Sequence, residues 1–513
     1  MRCRYALAMP LVLLLIPIAA LPAQRAPSSR AVRRATETIT AADVRRRMAV
    51  LADDSMRGRD TPSPELEKAA RYIAAEFRRL GLRPGGDDGG FLQRYTIRCA
   101  QPDTVSAITL RLGDRTVRWR LGRELGLLTG AVLDRTWTGP VVLFTGLPPD
   151  TGDLFGGVEL RDALVVHAAR VDLMPRLAEV LPHIVGASRR GIAAWLVVTE
   201  APPADFGRVL ARTLLRPSCG VAGGTAVDVR VLAGRDSTAR AILGAAGVDL
   251  AATLAGPAGV VRTIPGLAAT LRTARRNTSA TSAPNVVGIL EGSDPVLSAE
   301  HVVVAAHFDH IGVDRPVGGD SIFNGADDNA SGTAAVLEIA EAFAGLQPRP
   351  RRSVIFLAVS GEDKGMWGSA WYVAHPTVPL ERTVANLNLD MISRGWRDSV
   401  AVVGLNLSSL GETIRRVARE HPEAGTVPVG DHWPEVNNLY RSDHISFAQR
   451  GVPILCFIDG GHRDYHRVTD QLDRADTEAA ARIARLTFLT ALEVANGAER
   501  PTWDETARAR VVR

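Results

Sequence analysis

The sequence predicts an α/β protein: a three-layer α/β/α sandwich around a mostly parallel mixed sheet, with an inserted mainly β domain. Two patterns predict this fold class. From residue 285 onward, near-continuous apolar strands alternate with amphipathic helices, which is typical of a sheet buried on both faces. Between residues 102 and 276, short β-type runs are interrupted by glycine, proline and aspartate.

Length and composition indicate several folded domains. The chain has 513 residues, more than a single hydrophobic core normally organises. Hydrophobic residues make up 46% of the sequence and charged residues 23%, and the formal net charge is only +5. Because the basic residues are scattered rather than clustered, we expect no nucleic-acid partner.

The N-terminal segment has the pattern of a secretory signal peptide. Residues 1–4 are basic, residues 5–20 are uncharged and apolar, and residues 21–23 end in a small residue. The alternative is an N-terminal membrane anchor, which three prolines in this stretch make less favourable. We therefore expect a secreted or periplasmic protein with no stable membrane association.

Composition shifts along the chain predict its organisation. We expect a signal peptide at 1–23, a linker at 24–40, the N-terminal part of the main domain at 41–101, the insert at 102–276, the main α/β domain at 284–497 and a tail at 498–513. If Cys3 leaves with the signal, Cys99, Cys219 and Cys456 remain, and they allow at most one disulfide.

Periodicity places the elements. An amphipathic helix is predicted from about residue 66 to Gly81 by apolar residues at three-and-four spacing. In the insert, strands are predicted at 140–144, 163–167, 193–199 and 227–232. In the main domain, strands are predicted at 302–306, 354–359, 384–389 and 453–457, and helices at 332–344, 367–373, 410–420 and 477–495.

Residue types that bind divalent metals follow each main-domain strand. His307 and Asp309 follow the first, Glu362 and Asp363 the second, Asp390 the third, and His466 lies in the loop beyond the fourth. One such residue is usually a helix cap or a solvated loop residue. Four consecutive strand ends predict a common site, because ligands bind beyond the carboxyl ends of strands in open α/β sheets. The loop at 325–332, with Asp327 and Asp328, can turn a carboxylate toward the same point.

This set of residues suits metal-assisted hydrolysis. Imidazole and carboxylate donors without thiolate favour zinc with open positions. Two ions about 3.5 to 4 Å apart can clamp an attacking water and polarise a carbonyl, with a shared carboxylate as the bridge. The water needs a base, and Glu362, directly before Asp363, is placed for that role. Asp309 is expected to accept the other imidazole N–H of His307 and fix its tautomer.

The motifs resemble those of the M28 family of zinc aminopeptidases. They are His307-Phe308-Asp309, the segment 325–332, the segment 362–369, Asn388-Leu389-Asp390-Met391 and Tyr465-His466, in order between about 285 and 496. Residues 51–95, with Met56-Arg57-Gly58-Arg59, resemble the N-terminal part of such enzymes. The insert loosely resembles the protease-associated (PA) domain that many members carry.

The resemblance implies a zinc-exopeptidase fold, two Zn²⁺ ions and peptide substrates. It implies His307 and Asp390 on one zinc, Asp363 and His466 on the other, Asp328 as the bridge, Glu362 as general base and Tyr465 as a donor to the carbonyl oxygen. Asp328 is preferred over Asp327 because the family bridge lies three residues before a serine, here Ser331. Asp327 is then expected to be a cap or a solvated loop residue, and Tyr465 is alternatively a packed aromatic residue.

Two further positions bear on the site. The second residue of the family's Glu-Glu pair is Asp363 here, one methylene shorter, which is expected to weaken the second metal site. The segment 440–444 resembles a family motif near the active site, and His444 is expected to be structural rather than a ligand.

The predicted function is a secreted di-zinc aminopeptidase that hydrolyses N-terminal residues from peptides. A carboxypeptidase or dipeptidase on the same scaffold remains open, since pocket residues decide which terminus is recognised. A glutaminyl-cyclase-like aminoacyltransferase with one zinc and a metal-free binding protein are further alternatives, and the complete set of five ligand residues argues against both.

Overall fold

The computed structural model describes residues 27–129, 134–146, 154–168, 180, 183–184, 186–188, 190–199, 218–222, 231–396, 398–433 and 438–512. The predicted signal peptide and the first residues of the predicted linker lie outside these residues. Within the described residues, no helix has the length and apolar character needed to cross a membrane.

A ten-stranded mixed sheet forms the centre of the larger unit. In spatial order it contains β19 (Val427–Val429), β18 (Ser399–Val403), β20 (Ile454–Ile458), β17 (Thr383–Leu389), β13 (His301–His307), β16 (Ser353–Val359), β12 (Arg275–Leu290), β2 (Leu92–Pro102) and β9 (Ser218–Val221), and β1 (Arg83–Pro84) pairs with β12. The neighbours β20, β17, β13 and β16 are parallel, so their carboxyl ends lie at one edge of the sheet. The remaining pairs are antiparallel, except β18 with β19.

Helices cover both faces of this sheet. Alternate residues of β13 face opposite ways, so that Val302 and Val304 belong to one apolar core and Val303 and Ala305 to another. The first core also contains α1 (Ser29–Glu37), α2 (Ala41–Leu51), α3 (Pro64–Arg79), α6 (Gly332–Ala344), α8 (Leu410–Glu420) and α10 (Thr477–Asn496). The second contains α7 (Trp367–Ala374), α9 (His444–Ala448) and α11 (Glu505–Val511). The predicted α/β/α sandwich is confirmed.

A second sheet of eight strands is formed by the part of the chain between β2 and β12. Its order is β4 (Arg115–Arg120), β3 (Ala107–Leu112), β11 (Val261–Thr273), β6 (Arg135–Thr145), β7 (Leu164–Ala168), β8 (Ala194–Thr199), β10 (Val231–Arg235) and β5 (Leu125–Thr129). Strands β6, β7, β8 and β10 are parallel, and α4 (Asp236–Ala245) and α5 (Leu250–Ala255) follow β10. This region is therefore less purely β than predicted, because parallel neighbours need crossover connections.

Strand β9 connects the inserted region to the larger sheet. It pairs antiparallel with β2, and Cys99 lies opposite Cys219 in that pairing. The two cysteines form a disulfide across a sequence separation of 120 residues, and Cys456 is a buried free thiol. A short hairpin of β14 (Gly312–Val317) and β15 (Asp320–Phe323) precedes the loop that contains Asp327 and Asp328.

Candidate metal centre

The parallel strands bring the predicted metal ligands to one edge of the sheet. His307 is the last residue of β13, Asp390 follows β17 directly, and Glu362 and Asp363 lie just beyond β16. His466 belongs to the loop after β20. These residues come from four neighbouring strands, which is why they meet although the chain separates them by up to about 160 positions.

The first group of donors surrounds His307. Its Nε2 lies 3.2 Å from Oδ1 of Asp390 and 3.4 Å from Oδ1 of Asp328. All three side chains are buried. Three donor atoms therefore face one point between these side chains.

The second group surrounds His466. Its Nε2 lies 3.1 Å from Oδ2 of Asp328 and 3.2 Å from Oδ1 of Asp363. Asp328 thus turns one carboxylate oxygen toward His307 and the other toward His466. This is the arrangement expected of a carboxylate that bridges two metal ions.

His310 is a further imidazole in this cluster that the sequence analysis missed. Its Nδ1 lies 3.1 Å from Oδ2 of Asp363 and 3.7 Å from Oδ2 of Asp328. The ring packs against Gly325, which has φ +58°, and a Cβ there would lie 2.6 Å from the ring and 2.1 Å from the Asp328 carbonyl oxygen. His310 directly follows the His-x-Asp motif at the same strand end, and that position was the available signal.

Asp309 contacts its surroundings differently from the expected arrangement. The Nδ1 atom of His307 is closer to the backbone carbonyl oxygen of Asp309, at 3.3 Å, than to its Oδ1, at 3.7 Å. The Asp309 carboxylate instead accepts hydrogen bonds from the Thr61 hydroxyl at 3.0 Å and the Glu362 backbone N–H at 3.3 Å. Asp309 therefore links the N-terminal segment to the loop that carries Glu362.

Glu362 is a partly buried carboxylate next to the donor cluster. No described residue donates a hydrogen bond to its side chain, so its oxygens are free to accept a proton. Burial, together with the negative charges of Asp363 and Asp390, raises the pKa of Glu362 well above its usual value, although His307 opposes the shift.

Tyr465 stacks on His466 with ring centroids 3.8 Å apart. The Arg441 guanidinium donates a hydrogen bond of 3.3 Å to the Tyr465 oxygen, which leaves the phenol proton free to be donated elsewhere. Burial and the charge of Asp328 raise the pKa of this phenol, so it remains a donor at neutral pH. The stacking fits both alternatives weighed for Tyr465, a packed aromatic residue and a donor near the cluster.

Asp327 is not the solvated loop residue that was expected. It is fully buried, and its Oδ1 accepts hydrogen bonds of 2.7 Å from both the backbone N–H and the hydroxyl of Ser393. Its Oδ2 lies 3.1 Å from Nε2 of His462. The expectation was wrong because the preference for a capped or solvated aspartate describes isolated loops, whereas this loop is enclosed by those after β17 and β20.

Asp470 holds the backbone of the loop that contains Asp327 and Asp328. Its carboxylate accepts hydrogen bonds of 3.1 Å from the backbone N–H groups of both Asp327 and Asp328. The backbone that carries the bridging carboxylate is therefore held by a neighbouring buried acid. Asp470 lies four residues after His466.

Arg59 binds the loop after β13 and the loop after β15 through its guanidinium group. Its buried guanidinium donates hydrogen bonds to the carbonyl oxygens of Phe308 (2.8 Å), Asn324 (2.8 Å), Gly325 (3.1 Å) and Leu51. Phe308 lies between His307 and His310, and Gly325 begins the loop of Asp328. Burial lowers the pKa of Arg59 to about 10, with Asp309 and Asp328 opposing the shift.

The segment 440–444 lies behind the cluster. The Ser442 hydroxyl accepts a hydrogen bond of 3.0 Å from the side chain of Asn388, which belongs to β17, the strand directly before Asp390. His444 is buried, and within the described residues its ring nitrogens form no hydrogen bond to the predicted ligands. Burial lowers its pKa to about 4, and the charge of Asp390 opposes this shift. These features agree with a structural histidine.

The donor set and its charge fit bound cations. Carboxylates of Asp328, Asp363 and Asp390 share a small volume with imidazole nitrogens. Burial disfavours a charged imidazole at His466, but Asp328 and Asp363 outweigh it and raise its pKa to about 10. The metal-free cluster therefore holds protons where cations would bind, and oxygen and nitrogen donors without thiolate suit zinc.

Part of the chain matches a known protein family. Residues 285–491 match the model of Peptidase family M28. The chain is 25% identical over 224 residues to the aminopeptidase YwaD of Bacillus subtilis strain 168, covering 42% of this chain and 46% of that protein. It is 29% identical over 205 residues to the probable glutamate carboxypeptidase LAMP1 of Arabidopsis thaliana, covering 36% of this chain and 27% of that protein.

The fold is also similar to a solved structure. The aminopeptidase from Aneurinibacillus sp. strain AM-1 superposes with a TM-score of 0.50 at 18% identity, covering 90% of this chain and 95% of that chain. By contrast, the sequence matches span about half or less of the two curated relatives. The segment 285–491 that matches Peptidase family M28 includes all the imidazole and carboxylate residues of the candidate metal centre.

Proposed function

We propose that this chain is an exported di-zinc exopeptidase that removes N-terminal residues from peptides. The observation that carries the proposal is the geometry of Asp328, whose two carboxylate oxygens face two different histidines at 3.4 and 3.1 Å. That arrangement, inside a domain of a peptidase family, favours two ions sharing one carboxylate.

In this proposal, His307, Asp390 and Asp328 would hold the first zinc ion, and Asp363, His466 and Asp328 would hold the second. When bound, zinc supplies Lewis acidity toward the attacking water and the scissile carbonyl. The protein supplies the positions of the donors, since each lies at the carboxyl end of a parallel strand or in a loop anchored there.

Glu362 is the general base of the proposed reaction. Its carboxylate takes the proton of the attacking water and returns it to the nitrogen of the leaving amine. The absence of competing hydrogen bonds from described residues and a raised pKa support this role. Tyr465 donates its phenol proton in a hydrogen bond to the carbonyl oxygen as negative charge develops there.

Two features support export. The predicted signal peptide at residues 1–23 is the first, and the Cys99–Cys219 disulfide, which persists in oxidising compartments, is the second. We further propose that the eight-stranded unit is the insert predicted at 102–276, as a PA-like domain, and that the peptidase domain is built from 41–101 and 284–497.

The second candidate function is a carboxypeptidase, which removes residues from the C-terminus of peptides. It is retained because the relative LAMP1 is described as a probable glutamate carboxypeptidase. One experiment separates the two. Purified mature protein is analysed for zinc and incubated with matched peptides that are unblocked, N-acetylated or C-amidated. Two zinc ions per chain and hydrolysis of all but the N-acetylated peptide support the aminopeptidase.

Other results would redirect the proposal. Loss of cleavage only after C-amidation indicates a carboxypeptidase. One zinc per chain with release of ammonia from an N-terminal glutamine indicates a cyclase. No zinc and no cleavage would leave a binding protein and refute the proposal.

A further inference from the structure

His310 has no role in the proposed reaction, although it is fully buried beside the second group of donors. It lies three residues after His307, at the same carboxyl end of β13. Among the described residues, His307, His310 and His466 are the imidazoles that contact Asp328; the first two come from the end of β13 and the third from the loop after β20.

A single nitrogen of His310 faces two carboxylates. Its Nδ1 lies 3.1 Å from Asp363 and 3.7 Å from Asp328. In a tetrahedral zinc site with bonds of about 2.0 to 2.1 Å, neighbouring donor atoms are roughly 3.3 Å apart. The corresponding distances from His466 are 3.1 and 3.2 Å, so both imidazoles fit donors around one ion.

The two oxygens of Asp363 divide between the two imidazoles. Oδ1 is the atom near His466 and Oδ2 is the atom near His310. The His310 and His466 ring centroids are 5.7 Å apart in an edge-to-face arrangement, so the two rings lie side by side around the carboxylate. The shorter arm of aspartate places its oxygens between these rings.

The two ring nitrogens of His310 have different contacts. Its Nε2 is buried and has no hydrogen-bond partner within the described part of the chain. Coordination through the lone pair of Nδ1 would leave the ring proton on Nε2, so only the contacts of Nδ1 bear on coordination. The convergence of Nδ1 on two carboxylates, rather than one, favours coordination.

We propose that His310 is a fourth protein ligand of the second metal ion, through Nδ1, together with Asp328, Asp363 and His466. This inference rests on the metal centre of the proposed function. The ion held by His307, Asp390 and Asp328 has three protein ligands and keeps an open position, whereas the second has four and is closed in the manner of a structural site.

The test compares His310→Ala and His310→Asn by zinc titration against a competing chelator. Asparagine keeps an N–H near the position of Nδ1, so it preserves a hydrogen bond to Asp363 but not coordination. Both variants are expected to lose affinity at the second site by more than about 100-fold, the upper range for residues that only support a ligand. Retention of the first zinc shows that the variants are folded.

The control is His301→Asn. His301 begins β13, roughly 20 Å from His307 at the spacing of a strand, and binds neither group of donors. It is expected to bind both ions like the wild type. If His310→Asn also binds both ions with unchanged affinity, His310 is a hydrogen-bond partner of Asp363 and the inference is wrong.

X-ray absorption of the wild-type protein gives an answer that needs no variant. With zinc at both sites, we expect about three imidazoles shared between the two ions, and about two would contradict the inference. Failure of the wild type to bind any zinc is a different result, since it overturns the proposed function itself.

Discussion

Replacing Arg59 with lysine should release the two loops that carry His307 and Asp328 while leaving the local charge unchanged. The guanidinium satisfies four buried carbonyl oxygens, two of which lie in those loops. A lysine ammonium is a single point and can reach about two of them. Each buried acceptor left without a partner costs about 1 to 3 kcal/mol, so Arg59→Lys should destabilise the loops by about 2 to 6 kcal/mol.

The measurement is hydrogen exchange of peptides covering residues 305–330, read together with zinc affinity. Exchange there should accelerate and zinc affinity should fall, since the donors lose their fixed positions. Arg57→Lys is the matched control, because Arg57 is 55% exposed and only forms an ion pair of 3.8 Å with Glu65. It should change stability by less than about 0.5 kcal/mol. Identical exchange in both variants would refute the clamping role of Arg59.

Four other predictions address the site and its support. Glu362→Gln should keep both zinc ions and lower turnover by about 10²- to 10⁴-fold, and loss of metal in elemental analysis would show that Glu362 is not the base. Asp328→Ala should lose both ions together, so full occupancy after dialysis would place the bridge elsewhere. Zinc binding at pH 7.5 should release protons from His307 and His466, because the neighbouring aspartates raise the pKa of both imidazoles in the metal-free protein, so zinc affinity should rise with pH; calorimetry in buffers of different ionisation enthalpy measures this, and no buffer dependence would contradict it. Arg47→Met should lower the free energy of unfolding by about 3 to 5 kcal/mol, because Arg47 is fully buried against three glutamates. The control Arg46→Met, at an exposed residue, should lower it by less than about 0.5 kcal/mol. Equal urea midpoints for the two variants would refute the prediction.

Local patterns predicted the main domain well. Helices predicted at 332–344 and 410–420 have those bounds. The predicted strands differ by one residue at one end from β16 and β17, and by one residue at each end from β13 and β20. These elements are fixed by periodicity and by glycine or polar residues at their ends, which act over a few positions. Burial of these strands on both faces indicates a largely parallel sheet, so the location of the donors at its carboxyl edge was predictable.

The unpredicted features depend on contacts between distant parts of the chain. Arg59 lies within a recognised motif and His310 directly follows one, but their contacts depend on loops from β13, β16 and the N-terminal segment meeting in space. Asp327 has the composition of a loop residue and is buried only because two other loops enclose it. The pairing of β9 with β2 joins residues about 120 positions apart, and no local pattern encodes it.

The Cys99–Cys219 disulfide also separates the strands of the smaller sheet by the order in which they are synthesised. Strands β3 to β8 lie inside the covalent loop, whereas β10 and β11 follow Cys219 in the sequence. Yet β11 is inserted between β3 and β6, and β10 lies between β8 and β5. During synthesis from the N-terminus, both cysteines emerge before the strands that complete this sheet. Oxidation at that stage would close the covalent loop before the sheet is complete. Strands β10 and β11 would then pair with strands inside a loop that is already closed.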